Sequence, residues 1–177
     1  MPDQERTGLT ALRGSPVTLL GPNLKPGDKA PDFQCVAQDL STVTLASSAG
    51  KARLFLSVPS LDTPVCSTET IHFNRELAGT GDRAQVYVIS MDLPFAQKRF
   101  CGAENVENIQ TLSDFRDRSF GRAYGVLIKD GPLAGILARA LFVVDANNTI
   151  RYAQIVPEIA QEPNYDEALK ALRAAAG

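Results

Sequence analysis

The sequence has little of what metal sites and base-assisted nucleophiles need: its 177 residues include one histidine and three cysteines. The histidine, His72, and the dispersed cysteines do not match the ligand spacing of a zinc site. No two cysteines form a Cys-x-x-Cys pair, which argues against an ordinary dithiol–disulfide exchanger. Metal binding and simple disulfide exchange are therefore disfavoured.

Long apolar runs and an excess of basic charge are also missing. No apolar run approaches the roughly 18 residues of a membrane-spanning helix. The formal net charge is -2, which argues against nucleic-acid binding because phosphate contacts need a basic surface. Residues 1–6 are polar and contain no signal-peptide core, so we expect a cytoplasmic protein. In that compartment three cysteines do not form a structural disulfide framework.

The composition is that of an ordinary globular protein, with 44% hydrophobic and 21% charged residues. We expect one domain over residues 1–177, with an N-terminal hairpin over about 6–20. Apolar strands at 54–58 and 85–90 flank a helix at about 64–77, and a turn at 79–83 completes this βαβ unit.

The second half of the chain predicts a short helix from Phe95 to Cys101, with Asp92 as its N-cap and Gly102 as its stop. A strand at 140–144 pairs back with a strand at 150–156. The last helix is opened by Asn164. This order of elements predicts an α/β, thioredoxin-like fold, in which a central mixed sheet is flanked by helices.

One stretch combines a core strand, a proline-rich loop and a cysteine at a helix start. Thr63 is a good N-cap and Pro64 suits the first helical position, so Cys66 is the third helical residue. Backbone N–H groups are unpaired there and the helix dipole is positive, and both favour a thiolate. Cys66 is therefore a candidate nucleophile; the alternative is a buried packing cysteine.

A histidine does not activate this cysteine. His72 lies six residues after Cys66 on the same helix, so the side chains point about 120° apart. Activation must then be electrostatic. Thr63 can offer a hydroxyl, and Arg139, in an apolar setting before a strand, can offer a cation. Arg139 is either paired in the core or buries only its stem while its head reaches solvent.

These residues resemble the peroxiredoxin family. Pro59, Thr63 and Cys66 fit the family's Pro-x-x-x-Thr-x-x-Cys motif, and residues 30–33 resemble its first strand entrance. The run 92–102 looks like the resolving-cysteine helix of the bacterial thiol peroxidase branch. Residues 130–135, with the Ala138-Arg139-Ala140 that follows, are similar to that branch's arginine segment.

The resemblance implies a role for each matching residue. Cys66 is the peroxidatic cysteine that attacks a hydroperoxide, and Thr63 hydrogen-bonds the sulfur and the substrate oxygens. Arg139 stabilises the thiolate and the leaving oxygen, and Pro59 shields the sulfur from water. Cys101 is the resolving cysteine that condenses with the Cys66 sulfenic acid. No metal or organic cofactor is implied.

The resemblance also implies thioredoxin as reductant and a homodimer. Hydrogen peroxide and alkyl hydroperoxides are the expected substrates, and the alternative is a non-enzymatic redox sensor with the same switch. Cys66 and Cys101 lie on different predicted helices, and a disulfide needs Cα atoms within about 7 Å. We therefore expect the helix around Cys101 to unwind locally. Cys35, in a short strand, matches no catalytic position and is expected to be structural.

Overall fold

The computed structural model describes residues 3–78 and 83–177. Its strands, in chain order, are β1 Glu5–Arg6, β2 Ala11–Leu12, β3 Ser15–Pro16, β4 Leu19–Leu20, β5 Gln34–Ala37, β6 Thr42–Thr44, β7 Ala52–Ser57, β8 Ala84–Ser90, β9 Gln110–Ser113, β10 Leu127–Ile128, β11 Ala140–Val144 and β12 Ile150–Ile155. Its helices are α1 Pro64–Glu76, α2 Pro94–Glu104, α3 Ser119–Ala123 and α4 Tyr165–Ala176. The turn predicted at 79–83 lies outside the described residues, except for Arg83.

A seven-stranded mixed sheet forms the centre, in the order β12-β11-β7-β8-β9-β5-β6. The pairs β7–β8 and β8–β9 are parallel, and the other neighbours are antiparallel. The predicted parallel βαβ unit and the antiparallel hairpin near the C-terminus are both present. This sheet with its flanking helices confirms the predicted thioredoxin-like α/β class.

Strand β7 is buried on both faces, as continuous apolar runs in such sheets usually are. Leu54 and Leu56 join the apolar layer that contains Cys66 and the α4 residue Leu169. Phe55, between them, joins the opposite layer. The alternation follows from the two-residue period of a strand. The helix that carries Cys66 packs on the face of the sheet that presents Leu54 and Leu56.

The N-terminal segment, residues 5–20, forms hydrogen bonds with the C-terminal part of the fold. Strands β2 and β3 pair with each other, whereas β4 pairs with both β1 and β10. The Thr10 hydroxyl donates to the carbonyl of Val156 at 2.8 Å. The backbone N–H of Ile159 donates to the carbonyl of Ala11 at 2.9 Å. These bonds hold the segment after β12 in place.

The helix that carries Cys101 is longer than predicted, and its predicted N-cap and stop are wrong. Its N-cap is Leu93 rather than Asp92, and it passes through Gly102 to end at Asn105. Asn105 adopts a left-handed conformation, with φ 54°, and its N–H bonds to the carbonyl of Cys101. An Asn in that conformation closes a helix well. The Asp92 carboxylate does not cap the helix because it accepts hydrogen bonds from Ser60 and Ser90.

Candidate active site

Cys66 is the third residue of α1, as the sequence predicts. Thr63 is the N-cap, with φ -97° and ψ 147°, and Pro64 opens the helix. The side chain of Thr63 does not cap the helix, because its hydroxyl donates to the carbonyl of Ser60 at 2.9 Å. The threonine therefore closes the loop before the helix rather than satisfying a helical N–H.

The sulfur of Cys66 is fully buried and accepts a charged hydrogen bond. Nη2 of Arg139 donates to Cys66 Sγ at 3.1 Å. The Arg139 side chain is 2% exposed, so its head does not reach solvent, and the open question about this residue is settled in favour of a paired core arginine. A guanidinium N–H aimed at sulfur stabilises negative charge there.

Three contacts from two chain segments, α1 and the segment after β12, fix the guanidinium of Arg139, which directly precedes β11. Its Nε donates to the carbonyl of Ile159 at 2.9 Å, and its Nη1 donates to Glu69 Oε2 at 2.6 Å. Because Ile159 is itself held by the N-terminal segment, the orientation of the cation depends on distant parts of the chain. A planar fork of donors suits this three-way contact better than a lysine ammonium.

Glu69 is the residue of this cluster that sequence reasoning missed. It is wholly buried, and its Oε1 has no hydrogen-bond partner within the described residues. Burial raises the pKa of Glu69 to about 7, against the attraction of Arg139. Its position three residues after Cys66, on the same helix face, was the available signal.

The charges of the cluster are coupled. Burial lowers the pKa of Arg139, but the charges of Glu69 and Cys66 outweigh it, so the net direction is upward. The guanidinium therefore stays protonated. The sulfur of Cys66 and the carboxyl group of Glu69 then share one cation in a dry interior, where such interactions are strong.

Cys101 has a different setting, on α2. It is 8% exposed, and its S–H approaches Thr111 Oγ1 at 3.9 Å. Nε2 of Gln38 donates to the same oxygen at 2.7 Å. Burial raises the pKa of Cys101, with hydrogen bonds from Thr111 and Gln38 acting in the opposite direction. Cys101 also lines a groove of about 760 Å³.

Cys66 and Cys101 are not joined in this structure. All three cysteines are free, and Cys66 and Cys101 each lie on an intact helix. Both side chains belong to the same apolar layer of the core. The structure thus groups Cys66 closely with Arg139, and it places Cys101 on a separate element with its own polar neighbours.

The remaining candidates have structural surroundings. The Cys35 thiol is 1% exposed and donates to Asp114 Oδ1 at 3.6 Å. His72 stacks on Tyr165 with ring centroids 4.0 Å apart, so it packs against α4. Pro59 is buried in the loop that follows β7.

Neither a metal-binding cluster nor a membrane-spanning helix is present in the described part of the chain. Among residues 3–78 and 83–177, no cluster of three or more His, Cys, Asp or Glu side chains could hold a metal ion. No helix in the same part of the chain is long and apolar enough to cross a membrane.

The chain resembles known proteins in both sequence and structure. The Redoxin family profile matches residues 25–169. Thiol peroxidases of Aquifex aeolicus and Leptospira interrogans are 50% and 52% identical to this chain, over 92% and 93% of it and 95% and 96% of those proteins. The crystal structure of a peroxiredoxin-like protein from Aquifex aeolicus superposes with a TM-score of 0.90, at 49% identity, covering 96% of this chain and 97% of that one.

A thioredoxin-like fold with a guanidinium on a buried helix-start cysteine is the arrangement of a thiol-dependent peroxidase. The chain belongs to the Redoxin family and, within it, to the thiol peroxidase branch of the peroxiredoxins. It is therefore an oxidoreductase of the peroxiredoxin type, as the sequence resemblance predicted.

Proposed function

We propose that this chain reduces hydrogen peroxide and alkyl hydroperoxides through a Cys66 sulfenic acid and a Cys66–Cys101 disulfide that thioredoxin reduces. The observation that carries the proposal is the 3.1 Å contact from the Arg139 guanidinium to the buried Cys66 sulfur. A non-enzymatic sensor needs a reactive cysteine, but it does not need a cation fixed on that sulfur. The peroxidase names of the homologues favour the enzyme as well.

In the first step the Cys66 thiolate attacks the distal oxygen of the hydroperoxide. An S–O bond forms as the O–O bond breaks, and the leaving oxygen takes up a proton, equivalent to the one that the thiol lost on ionising, to become water or an alcohol. Preorganised donors lower the barrier of such a step because negative charge develops on oxygen. Arg139 supplies them. The Thr63 hydroxyl donates to Ser60, so its oxygen can accept the O–H of the hydroperoxide, and the buried Pro59 keeps bulk water away.

In the second step the Cys101 thiol attacks the sulfenic sulfur of Cys66. An S–S bond forms, the S–O bond breaks, and water leaves. Both cysteines lie on folded helices, and disulfide geometry requires Cα atoms within about 7 Å. We therefore expect α2 to unwind locally around Cys101 when the disulfide forms. Thioredoxin then reduces the disulfide and returns both thiols.

The decisive assay follows peroxide loss with thioredoxin, thioredoxin reductase and NADPH. Wild type should turn over, and Cys66→Ser should not. Cys101→Ser should consume one equivalent of peroxide without forming an intramolecular disulfide, as mass spectrometry of the quenched protein will show. No wild-type turnover, or undiminished turnover in Cys66→Ser, would defeat the proposal.

A homodimer, a cytoplasmic location and a single domain over residues 1–177 complete the proposal. A cytoplasmic location suits a cycle that depends on a thiol reductant, because thiols are kept reduced there. Light scattering of the purified protein should give twice the monomer mass, cell fractionation should place the protein with cytoplasmic markers, and thermal unfolding should show one transition. A monomer mass, a different fraction or two separate transitions would overturn the corresponding part.

A further inference from the structure

Both oxygens of the Asp92 carboxylate accept hydrogen bonds, although the side chain does not cap the helix that follows it. It accepts hydrogen bonds from Ser60 Oγ at 2.7 Å, from the backbone N–H of Leu61 at 2.8 Å, and from Ser90 Oγ at 2.8 Å. Two of these donors belong to the loop before Cys66, and the third lies at the end of β8. A carboxylate that gathers three donors from separate segments holds those segments in one geometry.

On one side of Asp92, the chain of contacts leads to Thr63. Ser60 is held by its hydroxyl to Asp92, while its carbonyl accepts the Thr63 hydroxyl at 2.9 Å and the Thr63 backbone N–H at 3.2 Å. Moving Ser60 therefore moves the hydroxyl of Thr63. The carbonyl of Thr63 in turn accepts the N–H of Ser67 at 3.0 Å, in the first turn of α1.

On the other side, the contacts lead into α2. Ser90 Oγ accepts from Nε2 of Gln97 at 3.1 Å, and the same nitrogen donates to the carbonyl of Leu112 at 2.7 Å. Gln97 is fully buried and lies four residues, about one helical turn, before Cys101. The Ser113 hydroxyl also donates to the carbonyl of Asp92 at 2.6 Å. The start of the Cys101 helix is thus fixed to the same carboxylate.

We propose that Asp92 is a positioning residue that ties the loop carrying Thr63 to the helix carrying Cys101, and so sets the peroxide reactivity of Cys66. Its carboxylate orients Thr63 through Ser60 and anchors α2 through Ser90 and Gln97. The inference rests on the proposed roles of Cys66 and Thr63.

Asp92→Asn tests this role, because Asn keeps the size but replaces one accepting oxygen with an NH₂ donor. The amide nitrogen must face Ser60, since the other position faces the backbone N–H of Leu61, and the Ser60 hydroxyl must then accept instead of donate. The negative charge that strengthened all three bonds is lost as well, so the loop is held less firmly. The second-order rate constant for the reaction of Cys66 with hydrogen peroxide should fall about tenfold or more, since small displacements of reacting groups slow a reaction strongly. Alkylation of Cys66 by iodoacetamide, which needs no threonine hydroxyl, should not slow. Amide exchange across residues 94–101 should become faster.

Two further variants make the test specific. Ser60→Ala removes one of the three donors and leaves the Ser60 carbonyl in place, so its peroxide rate should lie between wild type and Asp92→Asn. Asp62→Asn is the matched control: this carboxylate is in the same loop, but its side chain is 70% exposed and only approaches Arg99 at 3.9 Å. It should react like wild type.

The outcomes separate this inference from the proposed function. Loss of peroxide reactivity in Cys66→Ser and Thr63→Val, with a wild-type rate in Asp92→Asn, would overturn the positioning role alone. An equal fall in peroxide and alkylation rates in Asp92→Asn would also overturn it, because that pattern indicates general misfolding. Undiminished peroxide reactivity in Cys66→Ser would instead defeat the proposed function.

Discussion

Cys66 and Cys35 are buried to the same degree on opposite faces of the central sheet, at 0% and 1% exposure. Their polar neighbours carry opposite charge: a guanidinium donates to the sulfur of Cys66, whereas the thiol of Cys35 donates to the carboxylate of Asp114. Burial, and after it the charge of Asp114, raises the pKa of Cys35. Equal burial therefore does not distinguish the two sulfurs; the candidate nucleophile differs from the packing thiol by the cation that contacts it.

The largest expected effect comes from removing each sulfur in turn. Cys66→Ser should lower peroxide turnover by at least about a thousandfold, because the nucleophile is lost. Cys35→Ser should keep turnover within about twofold of wild type, since a packing residue contributes mainly to stability. Peroxide consumption in the thioredoxin-coupled assay measures both. Loss of turnover in Cys35→Ser, with retention in Cys101→Ser, would reverse the assignment of the second cysteine.

The next effect concerns the cation. Arg139→Met should slow the reaction of Cys66 with peroxide about 100- to 1000-fold, as losing one transition-state donor typically does. It should also lower the free energy of unfolding by about 3–5 kcal/mol, because Glu69 is left buried and unpaired. Stopped-flow kinetics and urea unfolding provide the two numbers.

The double variant Arg139→Met/Glu69→Met distinguishes these two consequences. Stability should recover, because an apolar pair of similar size replaces the buried ion pair, but peroxide reactivity should not recover. Recovery of both would mean that Arg139 only maintains the fold, and the contrast between the two sulfurs would lose its electrostatic basis.

A smaller effect is a pH dependence of stability from Glu69. Burial raises its pKa from 4.5 to about 7, so the folded state binds this proton more tightly than the unfolded state. The contribution is therefore fully present below pH 4.5 and is lost as the pH rises through 7. The stability of wild type relative to Glu69→Gln should fall by on the order of 2 kcal/mol across that interval. Urea unfolding at each pH measures both proteins. If the stabilities of wild type and Glu69→Gln changed in parallel with pH, the expected contribution of Glu69 would be contradicted.

The smallest effect is expected beside Cys35. Asp114→Asn, made in a Cys66→Ser/Cys101→Ser background, removes the carboxylate but leaves the thiol in the aromatic core. The reaction of Cys35 with an aromatic disulfide reagent should change by less than about twofold, because access depends on opening of the fold. Stability should fall by about 1 kcal/mol, since Asp114 accepts the backbone N–H groups of Phe120 and Gly121. A strong rise in thiol reactivity would show that charge alone silences Cys35.

Local patterns predicted the scaffold well. The strand at 140–144 has the predicted bounds, because a continuous apolar run between Arg139 and the turn after Asp145 admits few alternatives. Asn164 caps α4 as predicted, with its side chain accepting from the N–H of Glu167. The position of Cys66 in α1 was also predictable, since the preferences of Thr63 and Pro64 act within one turn.

The features that the sequence did not predict depend on contacts with other parts of the chain or on a competing signal nearby. Asp92 has the local signature of an N-cap, but donors from Ser60 and Ser90 compete for its carboxylate in the folded state. Glu69 looked like any helical carboxylate until the strand that follows Arg139 brought the guanidinium to it. Gly102 suggested a helix end, yet Asn105 three residues later closes the helix. In each case a tertiary contact or a stronger neighbouring signal prevailed.

The contact between Cys66 and Arg139 joins residues 73 positions apart, and Ile159, which orients the cation, follows 20 residues after Arg139. During synthesis the cysteine emerges from the ribosome well before either partner. A nascent or truncated chain that stops before Arg139 therefore lacks the guanidinium that contacts Cys66 in the folded protein. The order of residues along the chain thus means that the contact between Cys66 and Arg139 forms only late in synthesis.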